Sequence, residues 1–189
     1  MSMLTMNDLR IGVAITHENE PYVVIWSDFM RTAMRKPVMR TKLRNLISGR
    51  ILELTFKPGD KIPEADLARS KASYLYAQNN QHYFMDQTSY DQFFLSADQL
   101  GDQVKYLKEG LEVDVLNFEN RPVTIQLPKK VGYLIKESPD AVKGDTTNNA
   151  SKTAVLENGL EIKVPMFIKQ GEKIIVKTDT GEYSARASE

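Results

Sequence analysis

The chain has 189 residues, of which 41% are apolar, so it can bury a core in one large domain or in two to three small ones. It contains no cysteine, which excludes disulfides, thiolate metal sites and a cysteine nucleophile. Its 25 basic and 25 acidic residues cancel, and no run approaches the roughly 18 apolar residues of a membrane span, so we expect a cytoplasmic protein without membrane contact.

Strand patterns dominate the first block of the chain. Residues 10–16 and 22–26 are strand-like runs on either side of a polar turn at 17–21, and further strand patterns cover residues 38–46 and 50–56. We interpret residues 1–66 as a small, strongly bent antiparallel sheet. Trp26 falls in one of these runs, and we expect it in the core.

Positive charge is concentrated in this first block. Between Phe29 and Leu52 there is no Asp or Glu, yet there are seven cations: Arg31, Arg35, Lys36, Arg40, Lys42, Arg44 and Arg50. Arg40, Lys42 and Arg44 alternate on one predicted strand and therefore share a face. We expect that face to bind a polyanion, most commonly a phosphate backbone. For any single residue, an ordinary solvated face is an equally good interpretation.

The second block combines strands with one short helix. Strand patterns cover residues 72–77, 82–86, 92–95, 112–118 and 122–126. Ser96 and Gln99 form a capping box, which predicts a helix that runs to about Glu109 and ends at Gly110. This arrangement over residues 67–128 indicates a small barrel of the OB kind. We expect its strand aromatics in the core: Tyr74, Tyr76, Tyr83, Phe84, Phe93 and Phe94.

The third block, residues 129–189, again predicts five short strands, which fit a second small barrel. They cover residues 131–137, 153–156, 161–165, 173–177 and 182–186. A polar loop at 143–152 separates the first two strands and is expected to be exposed and available for binding. The three blocks carry formal charges of +2 (10 basic, 8 acidic), −3 (5 and 8) and +1 (10 and 9), so the middle block is the least suited to nucleic acid.

The third block also carries a spaced motif over twenty residues. It reads Lys152-Thr153-Ala154, Gly159, Ile162, Val164-Pro165, Ile168 and Gly171. This pattern resembles the C-terminal signature of bacterial elongation factor P. Segments along essentially the whole chain agree with the same family: Asn7-Asp8-Leu9-Arg10, Glu20-Pro21-Tyr22, Arg40-Thr41-Lys42-Leu43, Tyr74-Leu75-Tyr76, Phe84-Met85-Asp86, Lys143-Gly144-Asp145-Thr146 and Thr180-Gly181-Glu182-Tyr183.

The resemblance implies an all-β fold of three small β-barrels in a tRNA-like L shape. A KOW-like domain (1–66) with a tRNA-contacting hairpin would be followed by two OB-type domains (67–128 and 129–189). It implies a monomeric translation factor, not an enzyme, without cofactor, metal or catalytic residue. Such a factor binds both ribosomal subunits between the P and E sites, contacts the P-site peptidyl-tRNA and promotes peptide-bond formation at consecutive prolines.

The family places a modifiable lysine at the tip of this hairpin, within Lys-Pro-Gly-Lys-Gly. The resemblance assigns contact with the CCA end of the tRNA to the equivalent residues: Arg31, Thr32, Ala33, Met34, Arg35, Lys36 and Pro37. Met34 takes the place of the tip lysine and accepts neither a β-lysyl group nor rhamnose, so we expect a factor that works without a modifying enzyme. Met34 would pack against the terminal nucleotides while the cations hold phosphates; alternatively, Met34 is exposed filler and Arg35 is the tip.

The resemblance assigns three further sets of RNA contacts. Arg40, Lys42 and Arg44 would grip the tRNA or rRNA backbone. The third-block loop would approach the E-site codon of the message or small-subunit RNA through Gly144, Asp145, Thr146, Thr147 and Asn148, although a plain solvent loop is the alternative. Tyr183 and Arg186 could stack on and grip RNA, but a Tyr at a strand start more often belongs to the core.

Other functions stay open at this point. One is a paralogue with a narrower range of stalling motifs, which the altered tip favours. Another is a generic OB-fold RNA-binding protein, and a third is a hydrolytic enzyme that uses Asp86 or Asp91, for which the sequence offers no partner base or metal. His17 and His82 lie far apart along the chain, so we expect structural or solvent-exposed roles for both rather than metal binding.

Overall fold

The computed structural model describes residues 2–31, 36–139 and 151–187. In these segments the chain forms antiparallel β-sheets joined by short turns, with helical structure limited to segments of three to six residues. None of the helices among the described residues has the length and apolar character needed to cross a membrane.

The first sheet has four strands that pair in chain order: β2 (Ala14–His17), β3 (Glu20–Met30), β4 (Val38–Asn45) and β5 (Ile51–Phe56). Beside it, β1 (Met3–Leu4) pairs with β6 (Ile62–Pro63), and a 3-10 helix spans Met6–Asp8. Apolar side chains such as Leu9, Val24 and Leu43 fill the core between them. The last five residues of β3 are mostly exposed, so the β3–β4 hairpin extends beyond this core.

The predicted first strand begins later than expected. Residues 10–13 form a turn in which Val13 N donates to Arg10 O, and Gly12 adopts a φ of +92°. Such a φ is open to glycine without a Cβ clash, which explains why the strand starts at Ala14.

The second sheet is built from β7 (Ala68–Gln78), β8 (Gln81–Asp86), β9 (Gln92–Ser96), β10 (Glu112–Phe118) and β11 (Arg121–Gln126), in the order β11-β10-β7-β8-β9. Its edge strands β9 and β11 contact each other, so the sheet curls into a barrel. The third sheet is built from β12 (Lys130–Glu137), β13 (Ser151–Leu156), β14 (Glu161–Pro165), β15 (Lys173–Lys177) and β16 (Tyr183–Arg186), in the order β14-β13-β12-β15-β16.

These two sheets share one topology. Numbered within its own domain, each has the order 3-2-1-4-5, and in the third sheet the edge strands β14 and β16 also meet. The all-β prediction of a KOW-like sheet followed by two OB-type barrels is therefore confirmed. The domain boundaries at 66 and 128 stay a prediction, although no strand of the three larger sheets crosses either of them.

The helix of the middle barrel is shorter than predicted. The capping box is confirmed, because Ser96 Oγ accepts from Gln99 N and Gln99 Oε1 accepts from Ser96 N at 2.9 Å. The α-helix α1, however, covers only Ala97–Leu100 and gives way to a 3-10 helix at Gly101–Tyr106. Gly101 adopts a φ of +58°, which is incompatible with a continuing α-helix and ends it nine residues before Gly110.

The middle and C-terminal barrels share a junction with buried apolar side chains. Tyr106, from the middle barrel, is part of the C-terminal core, and its carbonyl accepts from the buried hydroxyl of Tyr133. Leu111 and Leu127 pack against the cores of both barrels. At the rim, Lys108 Nζ lies 2.9 Å from Glu157 Oε1.

Candidate functional site

The β3–β4 hairpin carries the predicted tRNA-contacting tip. Its last paired residues are Met30 and Val38, and Arg31 and Lys36 are exposed just beyond them, on either side of the tip. Pro37 is half-buried beside them. The other predicted tip residues lie outside the described residues: Thr32, Ala33, Met34 and Arg35. Their assignment to the CCA end stays a prediction.

The three alternating cations of β4 share the outward face of the sheet, as predicted. They alternate with the buried residues Met39, Thr41, Leu43 and Asn45. Their surroundings nevertheless differ. Arg40 is exposed, and its cross-strand neighbour on β3 is Asp28. Lys42 Nζ lies 3.1 Å from Glu53 Oε1 on β5.

The segment without acids in the sequence is therefore not isolated from acids in space. Asp28 and Glu53 come from the neighbouring strands and flank the same face. Because the Lys42–Glu53 pair is solvent-exposed, its net contribution to stability is small, about 0.2–1 kcal/mol. A phosphate group can compete with Glu53 for Lys42 at modest cost, so the face remains suited to a polyanion.

Arg44 is oriented differently from its two neighbours. It is half-buried, and its Nη1 donates to the backbone carbonyl of Leu100 in the middle barrel at 3.4 Å. This guanidinium is thus directed at protein rather than at open solvent. The contact of Arg44 with an RNA backbone stays a prediction, and the bond to Leu100 competes with it.

Sequence reasoning missed exposed aromatic and apolar side chains on the first sheet. Trp26 was expected in the core, but it is 40% exposed and lies directly across from Lys42. A β-bulge between Val24 and Trp26 shifts the strand register there. The signal was available in the sequence, because Trp26 and the charged Asp28 are two residues apart and so share a face of the strand. Phe29 and Met30 are also exposed.

The core prediction for the middle-barrel aromatics is only partly correct. Tyr74 and Phe84 are buried, and Phe93 and Tyr83 are half-buried. The prediction is wrong for Tyr76 and Phe94, which are 48% and 52% exposed. These two flank Tyr83 across neighbouring strands, with the Tyr76 and Tyr83 rings stacked at 4.8 Å and the Phe94 ring 5.9 Å from Tyr83. Tyr76, Tyr83 and Phe94 thus lie side by side on the outward face of the sheet, and the two outer rings are about half exposed.

The C-terminal candidates are placed near one edge of the third sheet. The guanidinium of Arg186 lies 5.1 Å above the ring of Phe167 and pairs with Glu172 at 3.1 Å, so it is already engaged within the protein. Tyr183 is half-buried and packs against the C-terminal core, in line with the structural alternative. The predicted loop residues lie outside the described residues: Gly144, Asp145, Thr146, Thr147 and Asn148.

The hydrogen bonds of the Asp86 carboxylate favour a role in stabilising a turn over a role in acid–base chemistry. Hydrogen bonds from the backbone N–H groups of Ser89 and Thr88 lower the pKa of Asp86. A general base works best with a pKa near the operating pH, so this shift runs against a hydrolytic role. His82 is buried beside Tyr74, as expected for a structural histidine.

Comparisons with known proteins agree along the whole chain. Three family profiles match consecutive parts of it: "Elongation factor P (EF-P) KOW-like domain" at residues 5–62, "Elongation factor P (EF-P) OB domain" at 67–125 and "Elongation factor P, C-terminal" at 131–186.

Curated relatives match over nearly their full length. A protein named elongation factor P from Dictyoglomus turgidum is 40% identical over 185 residues, which cover 98% of this chain and 100% of that protein. The protein of the same name from Thermotoga petrophila is 42% identical with the same coverage. The one from Desulfotalea psychrophila is 37% identical over 187 residues, covering 99% of this chain and 100% of that protein.

Proposed function

The chain belongs to the bacterial elongation factor P family, and from this premise we propose that it binds the ribosome between the P and E sites and relieves stalling at consecutive prolines. The observation that carries the proposal is the match to factors of this name over 98% of the chain. The factor acts in the cytoplasm as a monomer and contacts the P-site peptidyl-tRNA.

The proposed mechanism is positional. A proline nucleophile and a proline-ended peptide meet in poor geometry, and a factor that braces the CCA end lowers the entropic cost of reaching a near-attack arrangement. Such positioning can supply on the order of 7 kcal/mol at the favourable end. The factor therefore needs no acid, base, metal or cofactor of its own.

The hairpin supplies the bracing contacts. The exposed Arg31 and Lys36 on either side of the tip, together with Arg35, hold phosphates, and Met34 packs against the terminal nucleotides. On the outward face of the sheet, Arg40 and Lys42 contact the tRNA backbone beside the exposed ring of Trp26. Met34 takes no known tip modification of the family, so the factor works unmodified.

At the other end of the chain, the loop with Gly144, Asp145, Thr146, Thr147 and Asn148 reaches the E-site codon or small-subunit RNA. What supports this is the resemblance, together with a groove of about 720 Å³ whose lining includes Phe167, Tyr183 and Ser151, a residue just past the loop in sequence. Single-stranded RNA is read by stacking and by contacts to base edges and ribose, which aromatic and amide groups provide.

Translation of a polyproline reporter with unmodified recombinant protein tests the proposal. We expect the wild type to relieve the stall, and Met34→Ala and Arg35→Ala to reduce that relief. Met34→Lys should reduce it too, because a hydrated ammonium replaces the apolar contact. Lys61→Ala, which removes an exposed cation outside the hairpin, is the matched control. If none of the three tip changes affects relief, the tip assignment is wrong.

Mass spectrometry of protein purified from its native cells tests the absence of modification. We expect the unmodified mass; an added group on Arg35 or Lys36 would contradict it, and a group on Arg35 would favour Arg35 as the true tip.

One alternative is supported by a specific observation. Met34 in place of the family's modifiable cation favours a paralogue that relieves a narrower set of stalling motifs. A panel of reporters with different proline-containing motifs distinguishes the two functions, because a general factor relieves them all. A generic OB-fold RNA-binding protein would relieve none of the stalls and would bind RNA equally well in the absence of ribosomes.

A further inference from the structure

We propose that Arg44 and Gln99 are positioning residues, which form a reciprocal clasp between the first sheet and the middle barrel and so set the direction of the β3–β4 hairpin. The clasp consists of Arg44 on β4 and of Leu46 and Gly49 in the turn after it, together with Gln99, Leu100 and Gly101 from the middle barrel. Its consequence for tRNA contact rests on the proposed function, but the clasp itself does not.

Two hydrogen bonds cross the junction in opposite directions. Arg44 Nη1 donates to the carbonyl of Leu100 at 3.4 Å, and Gln99 Nε2 donates to the carbonyl of Leu46 at 3.2 Å. Leu100 is the last residue of α1 and Leu46 directly follows β4, so both acceptors stand at the ends of regular elements. Each side chain thus satisfies a carbonyl of the other domain.

Two glycines let the surfaces approach closely enough for these bonds. A Cβ on Gly101 would overlap the guanidinium of Arg44. A Cβ on Gly49 would lie 2.7 Å from the backbone carbonyl carbon of Asp98, which is closer than real Cβ atoms come. Both glycines also adopt positive φ angles, +58° and +75°, that disfavour other residues. The chain therefore has glycine at the closest approach on each side.

The clasp is well placed to orient the hairpin. Arg44 lies on β4, the strand that leads from the hairpin tip, six residues after Val38. At about 3.3 Å per residue, the hairpin end of β4 lies about 20 Å from the clasp. A small rotation at the clasp is therefore amplified at the tip, where positioning depends on sub-ångström placement of the CCA end.

The clasp also accounts for the environment of Arg44. Arg40 and Lys42 are exposed on the same face, whereas Arg44 is half-buried with its guanidinium over Gly101. An arginine that grips phosphate must present its guanidinium to the ligand, whereas that of Arg44 donates to the carbonyl of Leu100. Arg44 therefore acts within the protein, and its loss affects RNA contact only through the position of the hairpin.

Spin labels measure this geometry directly. The chain has no cysteine, so Lys57→Cys in the first domain and Thr88→Cys in the middle barrel, both exposed, introduce the sole labelling pair. We expect one narrow distance distribution in the otherwise wild-type protein. Arg44→Ala, Gln99→Ala and Gly101→Ala should each broaden or shift it, while Lys42→Ala, which removes a neighbouring cation of β4, should not.

Gly101→Ala separates positioning from charge, because it displaces the guanidinium without removing a cation. If it reduces relief of the polyproline stall as Arg44→Ala does, positioning is supported. Unchanged distance distributions in all three clasp variants would overturn the proposal, whatever happens in translation. A broadened distribution with full relief would overturn the link to the hairpin, and circular dichroism of each variant confirms that the sheets are intact.

Discussion

Neighbouring cations on one strand differ in what they can do. Arg40, Lys42 and Arg44 have the same spacing and the same outward direction, yet their partners lie on different elements. Lys42 pairs with Glu53, and Arg44 reaches the middle barrel. Alternation in the sequence predicts a shared face, but it does not show which long side chains are already engaged.

The Lys42–Glu53 pair predicts that the affinity for tRNA can be raised by mutating Glu53. Glu53→Gln removes the carboxylate that lies 3.1 Å from Lys42 Nζ, so we expect tighter binding to tRNA by about 0.2–1 kcal/mol. Lys42→Ala should act in the opposite direction and reduce the slope of log K against log salt by about one. Titrations at several salt concentrations measure both. Asp60→Asn, which removes an exposed acid elsewhere in the first domain, is the control; an equal gain there would indicate a general charge effect.

His82 predicts a dependence of stability on pH. Burial lowers the pKa of His82, because the charged ring would lose its solvation, so the folded state binds this proton less readily than the unfolded state. Its contribution to stability is therefore complete above the ordinary histidine pKa of about 6.5 and is lost as the pH falls through the lower folded value. We expect the melting temperature to fall as the pH drops below about 6.5, and His82→Gln to flatten that fall.

The chain offers a matched control, since His17 is its other histidine and is partly exposed. His17→Gln should leave the profile unchanged. If the profile flattens with His17→Gln instead, the pH dependence comes from His17 and the prediction for His82 is wrong.

At the level of elements, local signals predicted most of the fold. Turn residues and alternating patterns located the strands because both act over a few residues. The capping box at Ser96 was confirmed for the same reason. The helix length was wrong because its end depends on Gly101, whose backbone conformation is tied to a contact with Arg44, 57 positions away in the chain. The exposed position of Tyr76 follows a β-bulge after Tyr74, which periodicity alone does not reveal, whereas the exposure of Trp26 could have been read from its spacing to Asp28.

Three two-residue hairpin turns share one geometry and suggest a stabilising change. Both central residues have positive φ in the turns at 18–19, 79–80 and 119–120. The middle turn uses Asn79-Asn80, which suits such angles, whereas Glu119 holds a φ of +49° with a longer side chain. We expect Glu119→Asn to raise the free energy of unfolding by about 0.5–1 kcal/mol. Denaturant titration measures it, and Glu119→Gln, with the same charge change, should bring no comparable gain.

On the scale of the molecule, the two junctions are built differently. The first sheet meets the middle barrel through the polar clasp and its two glycines. The middle and C-terminal barrels instead share buried apolar side chains, including Tyr106. Burial also raises the pKa of Tyr133, so its hydroxyl stays protonated and donates to the Tyr106 carbonyl. The family resemblance predicted three domains, but not how tightly each pair is joined, because that depends on side chains distant in sequence.

Glu157 adds a pH-dependent contact to the second junction. Burial opposes its ionisation, but hydrogen bonds from Lys108 Nζ and Leu134 N outweigh that effect and lower the pKa of Glu157. Its contribution is therefore present above the ordinary glutamate pKa and is lost as the pH falls through the lower folded value. The apolar part of the junction carries no such dependence.

The difference between the polar clasp and the apolar junction predicts which domains unfold together. Since the middle and C-terminal barrels share core residues, we expect them to unfold as one cooperative unit, while the first domain unfolds separately. Calorimetry should then show two transitions in the wild type. Tyr106→Ala removes a side chain that is 5% exposed, at a cost of about 3–5 kcal/mol, and should split the larger transition in two. Tyr90→Ala, which truncates a tyrosine that is 72% exposed, should leave the pattern intact. A single transition in the wild type would instead mean that the polar clasp couples the first domain as strongly as the apolar junction couples the other two.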